Sequence, residues 1–588
     1  MITTHSLSEE AFTALACGGG DGPVVRQLHD AQLSKHLMLL RVLAEVAEGA
    51  ELSSPASAAF HAGYQLLARA QSADPGAVAT VLGLPHIGSW EHDCLACLDG
   101  VAAPPNLGYL AAVAAATAVK VGIPFALDAP VQDGRLALPG LGCLLVGDQG
   151  EWVRLSSDGE RLRAGREVDV ACERLVPDDG SGDFVPHWRG TPLVRAACDG
   201  RTWEVLLETG DRCLDRYMLP MLTVMTAAEA GNWRRRIQSA WELLVRHHEW
   251  AAGPVAEGVS VIVPLVPRSD LDSATSPAAF GAVATSLPPS AVSMAEILIH
   301  ELQHIKLCGL MDMLPLTEPG DRRGYAPWRE DPRPMGGILQ GLYAFAGIVR
   351  YWDVQRHLEP GPDRVLRGNV LYERWRSALE PVAETLLSAG VLTPDGVRFV
   401  TALKERGRDA DAAPVPAEAV EIAAEVALDN WLTWQLRHTV VDVAEVAGLA
   451  AAYRDGESFD GQILPVTWIE DDIRKVDSVP RSRLIHMRYQ NPLRFRALAA
   501  ADMAELDVAD VLLIGEDADA AVEAYRVSLT AAPDPAAWIG LALAIRRLPA
   551  ASSRPVFASH LPLLFEMHAC LADQGIYADP LDLAAWFE

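Results

Sequence analysis

Residues 293–308 run Ser-Met-Ala-Glu-Ile-Leu-Ile-His-Glu-Leu-Gln-His-Ile-Lys-Leu-Cys. Ser293 followed three residues later by Glu296 is a capping-box pattern, and the apolar residues behind it recur at helical spacing. His300 and His304 then stand one turn apart on one face. Two imidazoles so placed can converge on a single metal ion, and neutral imidazole suits zinc, iron, copper and nickel alike. Glu301 lies about 100° round the helix from His300, in reach of a metal-bound water or a co-substrate. The five-residue pattern also arises by chance on surface helices, in roughly a few chains per hundred of this length. Its neighbours argue for the metal. Ile297, Leu307, Cys308 and Met311 share the histidine face, which turns both rings toward an apolar interior. Imidazoles buried side by side each need a partner.

Working outward, Val259–Pro267 is a β-branched run that reads as a strand, and Phe280–Ser286 as a shorter one. Downstream of the motif a loop rich in proline and charge, Pro315–Pro334, leads into a long helix from about Met335 to Arg356. One stripe of that helix is small or polar (Gly336, Gly337, Gln340, Tyr343, Ala344, Gly347, Tyr351), and the other is apolar. In HExxH metalloproteases a third ligand often comes from a downstream helix, and here Gln340 holds that place. Its amide oxygen can ligate but is neutral, which suits zinc proteolysis poorly; the alternative is a buried amide serving a helix contact. Glu330 and Asp331 are fallback carboxylate ligands. Arg329 and Arg333 lie four apart just before the helix. Guanidinium groups bind carboxylates through paired hydrogen bonds, so they read either as the anchor of an acid co-substrate or as surface arginines bridging Glu330, Asp331 and their neighbours.

Other candidates are weaker. Cys94-Leu-Ala-Cys97 with His86 and His92 has CxxC spacing but no second pair, which favours buried thiols over a structural zinc. His438 is a helix-terminal histidine or else a third ligand or proton carrier. His247-His248 reads as a solvated pair. No GxSxG elbow, Walker loop or Rossmann fingerprint occurs.

The 588 residues correspond to about four domain-sized units. We divide them into a helical region (1–130), a small β-rich region (131–205) with strands at Arg135–Leu138, Gly142–Val146 and Val168–Ala171, an HExxH metal-binding catalytic region (206–460), and a C-terminal helical region (461–588). The last contains one tetratricopeptide-like hairpin. The expected fold is mainly α with minor β: a multi-lobed helical protein with the metal site between the HExxH helix and the following helix. Lys plus Arg number 49 and Asp plus Glu 78, a net charge of −29. This argues against nucleic acid and against anionic membranes as partners. Nine cysteines, an odd and sparse set, make no disulfide scaffold. No signal peptide is visible, and the Ala-rich stretch Leu107–Leu127 is broken by Lys120 and Pro124, so it reads as a buried helix. A reducing cytoplasm is the expected compartment.

The string Glu296–Leu307, followed by Ala326-Pro-Trp-Arg-Glu-Asp-Pro-Arg-Pro-Met-Gly-Gly-Ile-Leu-Gln-Gly-Leu-Tyr-Ala-Phe, resembles the 2-oxoglutarate-dependent, HExxH-type peptide β-hydroxylases of ribosomal-peptide modification clusters. Leu84-Pro-His-Ile-Gly-Ser-Trp and Leu136-Ala-Leu-Pro-Gly-Leu-Gly extend the resemblance toward the N-terminus, and it loosens after about residue 460. The chain has no radical SAM cluster motif, so it is similar to the stand-alone type. The resemblance implies Fe(II) and 2-oxoglutarate, with O2 as oxidant and a ribosomal precursor peptide as substrate. Carried over, the motif's metal ligands fall on His300 and His304; the stripe on the following helix offers Gln340 as the third, Arg329 and Arg333 are the candidates to hold 2-oxoglutarate, and Glu301 positions a ligand or water. The runner-up is a zinc metallopeptidase with Glu301 as general base, and the third reading is a non-catalytic peptide-binding scaffold.

Overall fold

The computed structural model describes residues 5–49, 55–98, 107–148, 150–178, 185–267, 273–408, 413–459, 468–477, 479–498, 507–548 and 555–587. Helix outweighs strand by 60% to 13%, so the chain is mainly α with minor β. It divides into two units, Met1–Leu316 with Pro394–Leu403, and Thr317–Thr393 with Lys404–Glu588. No helix among the described residues is long and apolar enough to cross a membrane.

The first unit begins with six helices: α1 (Glu9–Ala16), α2 (Gly22–Gly49), α3 (Pro55–Ala73), α4 (Pro75–Leu82), α5 (Pro85–Leu98) and α6 (Tyr109–Val121). The Ala-rich stretch forms α6 only as far as Val121, since Phe125–Leu127, expected in the same helix, open the next strand; every side chain from Tyr109 to Ala118 is buried. Small residues there bring α3 so near that a Cβ on Gly63 would lie 2.8 Å from the Leu110 carbonyl. Nine strands follow. They are β1 (Phe125–Pro130), β2 (Arg135–Leu138), β3 (Gly142–Leu145), β4 (Trp152–Ser157), β5 (Arg161–Ala164), β6 (Val168–Ala171), β7 (Trp188–Gly190), β8 (Leu193–Cys198) and β9 (Arg201–Leu207). The three strands expected between 131 and 205 are β2, β3 and β6. Two small antiparallel sheets result, ordered β1-β4-β5-β6 and β2-β3-β7.

The third sheet positions the motif. After α7 (Ala227–His247) and α8 (Glu249–Gly258) come β10 (Val261–Pro264), β11 (Ser273–Ala274), β12 (Ala282–Thr285) and α9 (Ala291–Met313), and the sheet order is β11-β12-β10-β9-β8. The inner strands β12, β10 and β9 are parallel. β10 and β12 are buried at every position, as parallel strands covered on both faces must be, which explains their unbroken apolar runs. The strand expected at Phe280–Ser286 is β12, and it is interior: β10 and β11 use both its edges. An added strand therefore finds β10 on one edge of β12 and β11 on the other.

α7 and α8 pack against α9. At Gly258 a Cβ would come within 2.6 Å of Leu302, so only a glycine lets α8 close on α9 there. The helix starts earlier than the sequence pattern placed it. Ser290 is the N-cap, its Oγ accepting from Ser293 N at 3.0 Å. The expected solvated pair is split: His247 is exposed, while His248 is buried at the α7–α8 junction.

The second unit holds a short hairpin of β13 (Arg323–Gly324) and β14 (Arg333–Pro334), then α10 (Met335–Gln355) and α11 (Pro362–Ser388). The helix α12 (Pro394–Arg408) contributes its residues up to Leu403 to the first unit, where Phe399 meets Phe12 edge-on at 6.2 Å. Then come α13 (Ala417–His438), β15 (Thr439–Val440), α14 (Val443–Arg454), β16 (Trp468–Ile469), α15 (Val479–Gln490), α16 (Pro492–Arg496), α17 (Val508–Ile514), α18 (Ala518–Ala531), α19 (Pro535–Arg546), α20 (Val556–Ser559), α21 (Leu561–Asp573) and α22 (Pro580–Ala585). The hairpin read from the sequence is α18 with α19, where Tyr525 lies directly over Gly540. Buried charges here are paired: Arg481 with Asp510 at 2.9 Å, and Arg488 and Arg547 with Glu425 at 2.8 and 2.5 Å.

Candidate metal centre

α9 is buried on almost every side. Between Ser293 and Leu310 only Glu296, His300, His304 and Cys308 escape full burial, a single stripe at i, i+4 spacing. The sequence turned this stripe toward an apolar interior. The structure instead gives it half-burial, because Leu298, Leu302 and Ile305 are the residues sealed into the core. Between Ser293 and Leu310 this stripe is the part of the helix that keeps some accessible surface.

Within that stripe the two rings converge. His300 Nε2 and His304 Nε2 are 3.3 Å apart, and the rings meet at 78° with centroids 4.9 Å apart. Nitrogen donors about 2.1 Å from one ion, at angles between a right angle and the tetrahedral value, lie about 3.0–3.4 Å apart. The observed spacing fits two ligands of one metal. Desolvation, then the neighbouring His304, lowers the His300 pKa to about 3, which favours the neutral ring.

Glu301 is buried and faces another way. Its Oε1 accepts from Ser273 Oγ at 2.7 Å. Burial raises its pKa, with His304 and the Ser273 and Thr275 hydroxyls pulling in the opposite direction. Ser273 belongs to β11, the two-residue edge strand, so the motif's carboxyl is fastened to the rim of the sheet. Tyr217 is also buried, and its hydroxyl has no hydrogen-bond partner among the described residues. Burial raises its pKa, and the Glu301 charge adds to that rise. Neither Ser273 nor Tyr217 could be found by sequence, because each lies far from the motif in an unremarkable stretch. The back of α9 is fixed by two buried polar side chains. Gln303 Nε2 donates to Gly18 O at 3.1 Å, and Lys306 Nζ donates to Gly19 O at 2.6 Å.

The other expected site residues belong to the second unit. Arg329 Nε donates to Asp331 Oδ1 at 2.8 Å and Arg333 Nη1 to Asp331 Oδ2 at 3.2 Å. Burial works to raise the Asp331 pKa, but the two arginines outweigh it and hold the group below its ordinary range. The arginines thus already grip one carboxylate from both sides. Glu330 pairs with Arg437 at 3.2 Å. Gln340 is half-buried on α10, near the point where Trp328 lies flat over Gly341 and stacks on Phe345 at 4.8 Å. His438 is a helix-terminal tie: Nε2 donates to Glu330 O at 2.7 Å and Nδ1 accepts from Asp472 N at 3.2 Å.

His86 is claimed by a buried network in the first unit. Its Nε2 lies 3.2 Å from Glu208 Oε2, while Glu208 Oε1 accepts from the Gly210 and Asp211 amides. Cys94 is a buried free thiol, and the Cys97 side chain lies outside the described residues. No group of three or more His, Cys, Asp or Glu that could hold a metal ion occurs among the described residues. No protein-family model matches the chain, and no curated protein matches it at a significant level.

Proposed function

We propose that the chain is an Fe(II)- and 2-oxoglutarate-dependent hydroxylase that acts on the β-carbon of a residue in a ribosomally made precursor peptide. The observation that carries the metal is the 3.3 Å separation of the His300 and His304 Nε2 atoms on the one half-open stripe of α9. The choice of iron and 2-oxoglutarate rests on the family resemblance. When bound, Fe(II) with 2-oxoglutarate supplies O2 activation coupled to decarboxylation, giving succinate, CO2 and one oxygen atom for a C–H bond.

The chain's own residues have separate tasks. His300 and His304 are the two imidazole ligands. Glu301 holds its carboxyl against Ser273 and keeps a proton to higher pH than an exposed glutamate. The apolar packing around α9 limits water near a reactive oxidant. Arg329 and Arg333 are able to grip a carboxylate, as their contacts with Asp331 illustrate.

The alternative is a zinc peptidase in which the buried Glu301 carboxyl serves as general base. The two readings part in one experiment. Protein is loaded anaerobically with Fe(II), 2-oxoglutarate and a candidate precursor peptide, then O2 is admitted. Hydroxylation gives succinate and a peptide heavier by one oxygen, and both vanish in His300→Ala and His304→Ala, which also lose metal in an equilibrium titration. Peptide fragments in place of succinate, or variants that bind iron as well as the parent, would overturn the proposal.

A further inference from the structure

A cavity of about 400 Å³ opens within the first unit, between α7 and the start of α9. Asn232, Arg235, Arg236 and Ser239 line one wall, and Leu287 and Ala291 the other. The first four stand at i, i+3, i+4 and i+7, so they form one stripe of α7. A different stripe of the same helix, with Trp233, Ile237, Trp241 and Leu244, is sealed into the core. That apolar packing fixes the direction in which the two arginines leave the helix.

The lining holds two cations and no carboxylate. Arg236 is half-buried, yet its guanidinium has no hydrogen bond or ion pair among the described residues. Arg235 donates to Asn232 Oδ1, a neutral amide oxygen, and pairs with no acid among the described residues. The acids of α7 are engaged elsewhere. Glu229 accepts from the Thr226 amide at 2.8 Å, and Glu242 accepts from Gln238 Nε2 at 2.8 Å. Arg234, the neighbour of the pair, is tied to the Asp178 carbonyl at 3.3 Å. A charge half withdrawn from water with no partner is unfavourable, and an anion in the cavity relieves it.

The donors select the anion. Both guanidinium groups, the Ser239 hydroxyl and the Asn232 amide nitrogen can all donate, and Arg235 orients that amide by holding its oxygen. A phosphoryl group offers three acceptor oxygens and a charge of about −1.5 to −2 at neutral pH. A carboxylate offers two oxygens and a single charge, so the phosphoryl group is the better match to two arginines. The rest of the surface limits its size. A long polyanion meets the repulsion of a chain with net charge −29, whereas a small ligand feels charges only within about 8–10 Å. We propose that this cavity binds the phosphoryl group of a small phosphorylated molecule, with Arg235 and Arg236 as its charge partners and Leu287 as the apolar wall beside it. The site is separate from the histidine pair. His300 lies nine residues beyond Ala291, on the order of 14 Å along the helix axis, and binding here does not depend on the function proposed above.

The test titrates the full chain, without added metal, with inorganic phosphate and with phenyl phosphate, by calorimetry at low salt. Saturable binding with a Kd of about 1 mM or tighter is expected for at least one of them. Tighter binding of phenyl phosphate places its ring on Leu287, and equal binding assigns the site to the phosphoryl group alone; both support the proposal. Arg235→Gln and Arg236→Gln are each expected to weaken binding about tenfold, and the double variant to abolish it. Neither arginine is in the core, so the variants are expected to keep the parent's urea midpoint. Arg236→Lys retains the charge without the planar fork and is expected to fall between parent and Arg236→Gln. His300→Ala is expected to bind as the parent does, which separates failure of this cavity from failure of the metal site. No saturable binding of either probe, unchanged affinity in the double variant, succinate binding as tightly as phosphate, or heparin binding more tightly through the same arginines would each overturn the proposal.

Discussion

Ser273 and Glu301 are the pair on which the first prediction rests. A buried carboxyl that accepts from the Ser273 hydroxyl at 2.7 Å, with the Thr275 hydroxyl as a second donor, loses about 1 kcal/mol when the Ser273 hydroxyl goes. A double-mutant cycle of Ser273→Ala and Glu301→Gln in urea should return a coupling near that value. His36 supplies a second. Burial lowers its pKa from 6.5 to about 4, against the pull of the Leu82 carbonyl that Nδ1 bonds. Between those values the unfolded chain takes up a proton that the folded chain refuses, so stability is full above pH 6.5 and falls as pH drops toward 4. The depression is worth about 3 kcal/mol at its limit. His36→Gln should flatten the pH dependence of the urea midpoint in that window. The sequence disclosed His300, Glu301 and His304 because i, i+4 spacing is a local property. It could not disclose Ser273 or Tyr217, whose place depends on a sheet edge and a buried hydroxyl.

Helices and strands were legible where one period ran unbroken. The stretches Arg135–Leu138, Val168–Ala171 and Met335–Arg356 emerge almost as read, as do the α18–α19 hairpin and the buried α6. Pairing was not legible. That Ala282–Thr285 is an inner strand and Ser273–Ala274 the edge follows from contacts between segments, which a single sequence does not encode in its period. Packing at glycines is similarly hidden, and it gives the next prediction. Gly448 lies exposed within α14, with nothing near a new Cβ, so Gly448→Ala should raise stability by up to ~1 kcal/mol. At Gly540 the same change drives a Cβ into the Tyr525 ring. Overpacking costs about 1–3 kcal/mol, enough to offset the propensity gain, so Gly540→Ala should be neutral to destabilising. The urea midpoint should therefore rise in Gly448→Ala and stay level or fall in Gly540→Ala.

Over the whole molecule, helical periodicity correctly implied a mainly helical chain, interrupted by the strands between Phe125 and Leu207 and those around α9. It did not reveal how the chain divides, since the segment Pro394–Leu403 belongs to the first unit although its sequence neighbours on both sides belong to the second. The excess of 29 negative charges is a property of the whole. Self-repulsion of that size opposes the folded state and is screened by salt, so the thermal midpoint should rise as NaCl goes from about 20 to about 200 mM. A midpoint that falls or stays level would show that local ion pairs such as those on Glu425 matter more than the net charge.

The hold that Gln303 and Lys306 take on the Gly18 and Gly19 carbonyls spans 285 and 287 positions. Such distant closure is slow to form, so during synthesis the turn at residues 18–19 waits through half the chain for the helix it will seat. Until then the motif segment has no fixed mount, and a nascent chain stalled before residue 303 carries that turn unfilled. Shortening the protein from its front past Gly19 would take both carbonyls away from Gln303 and Lys306, and damage would reach the histidine pair from almost 300 residues away.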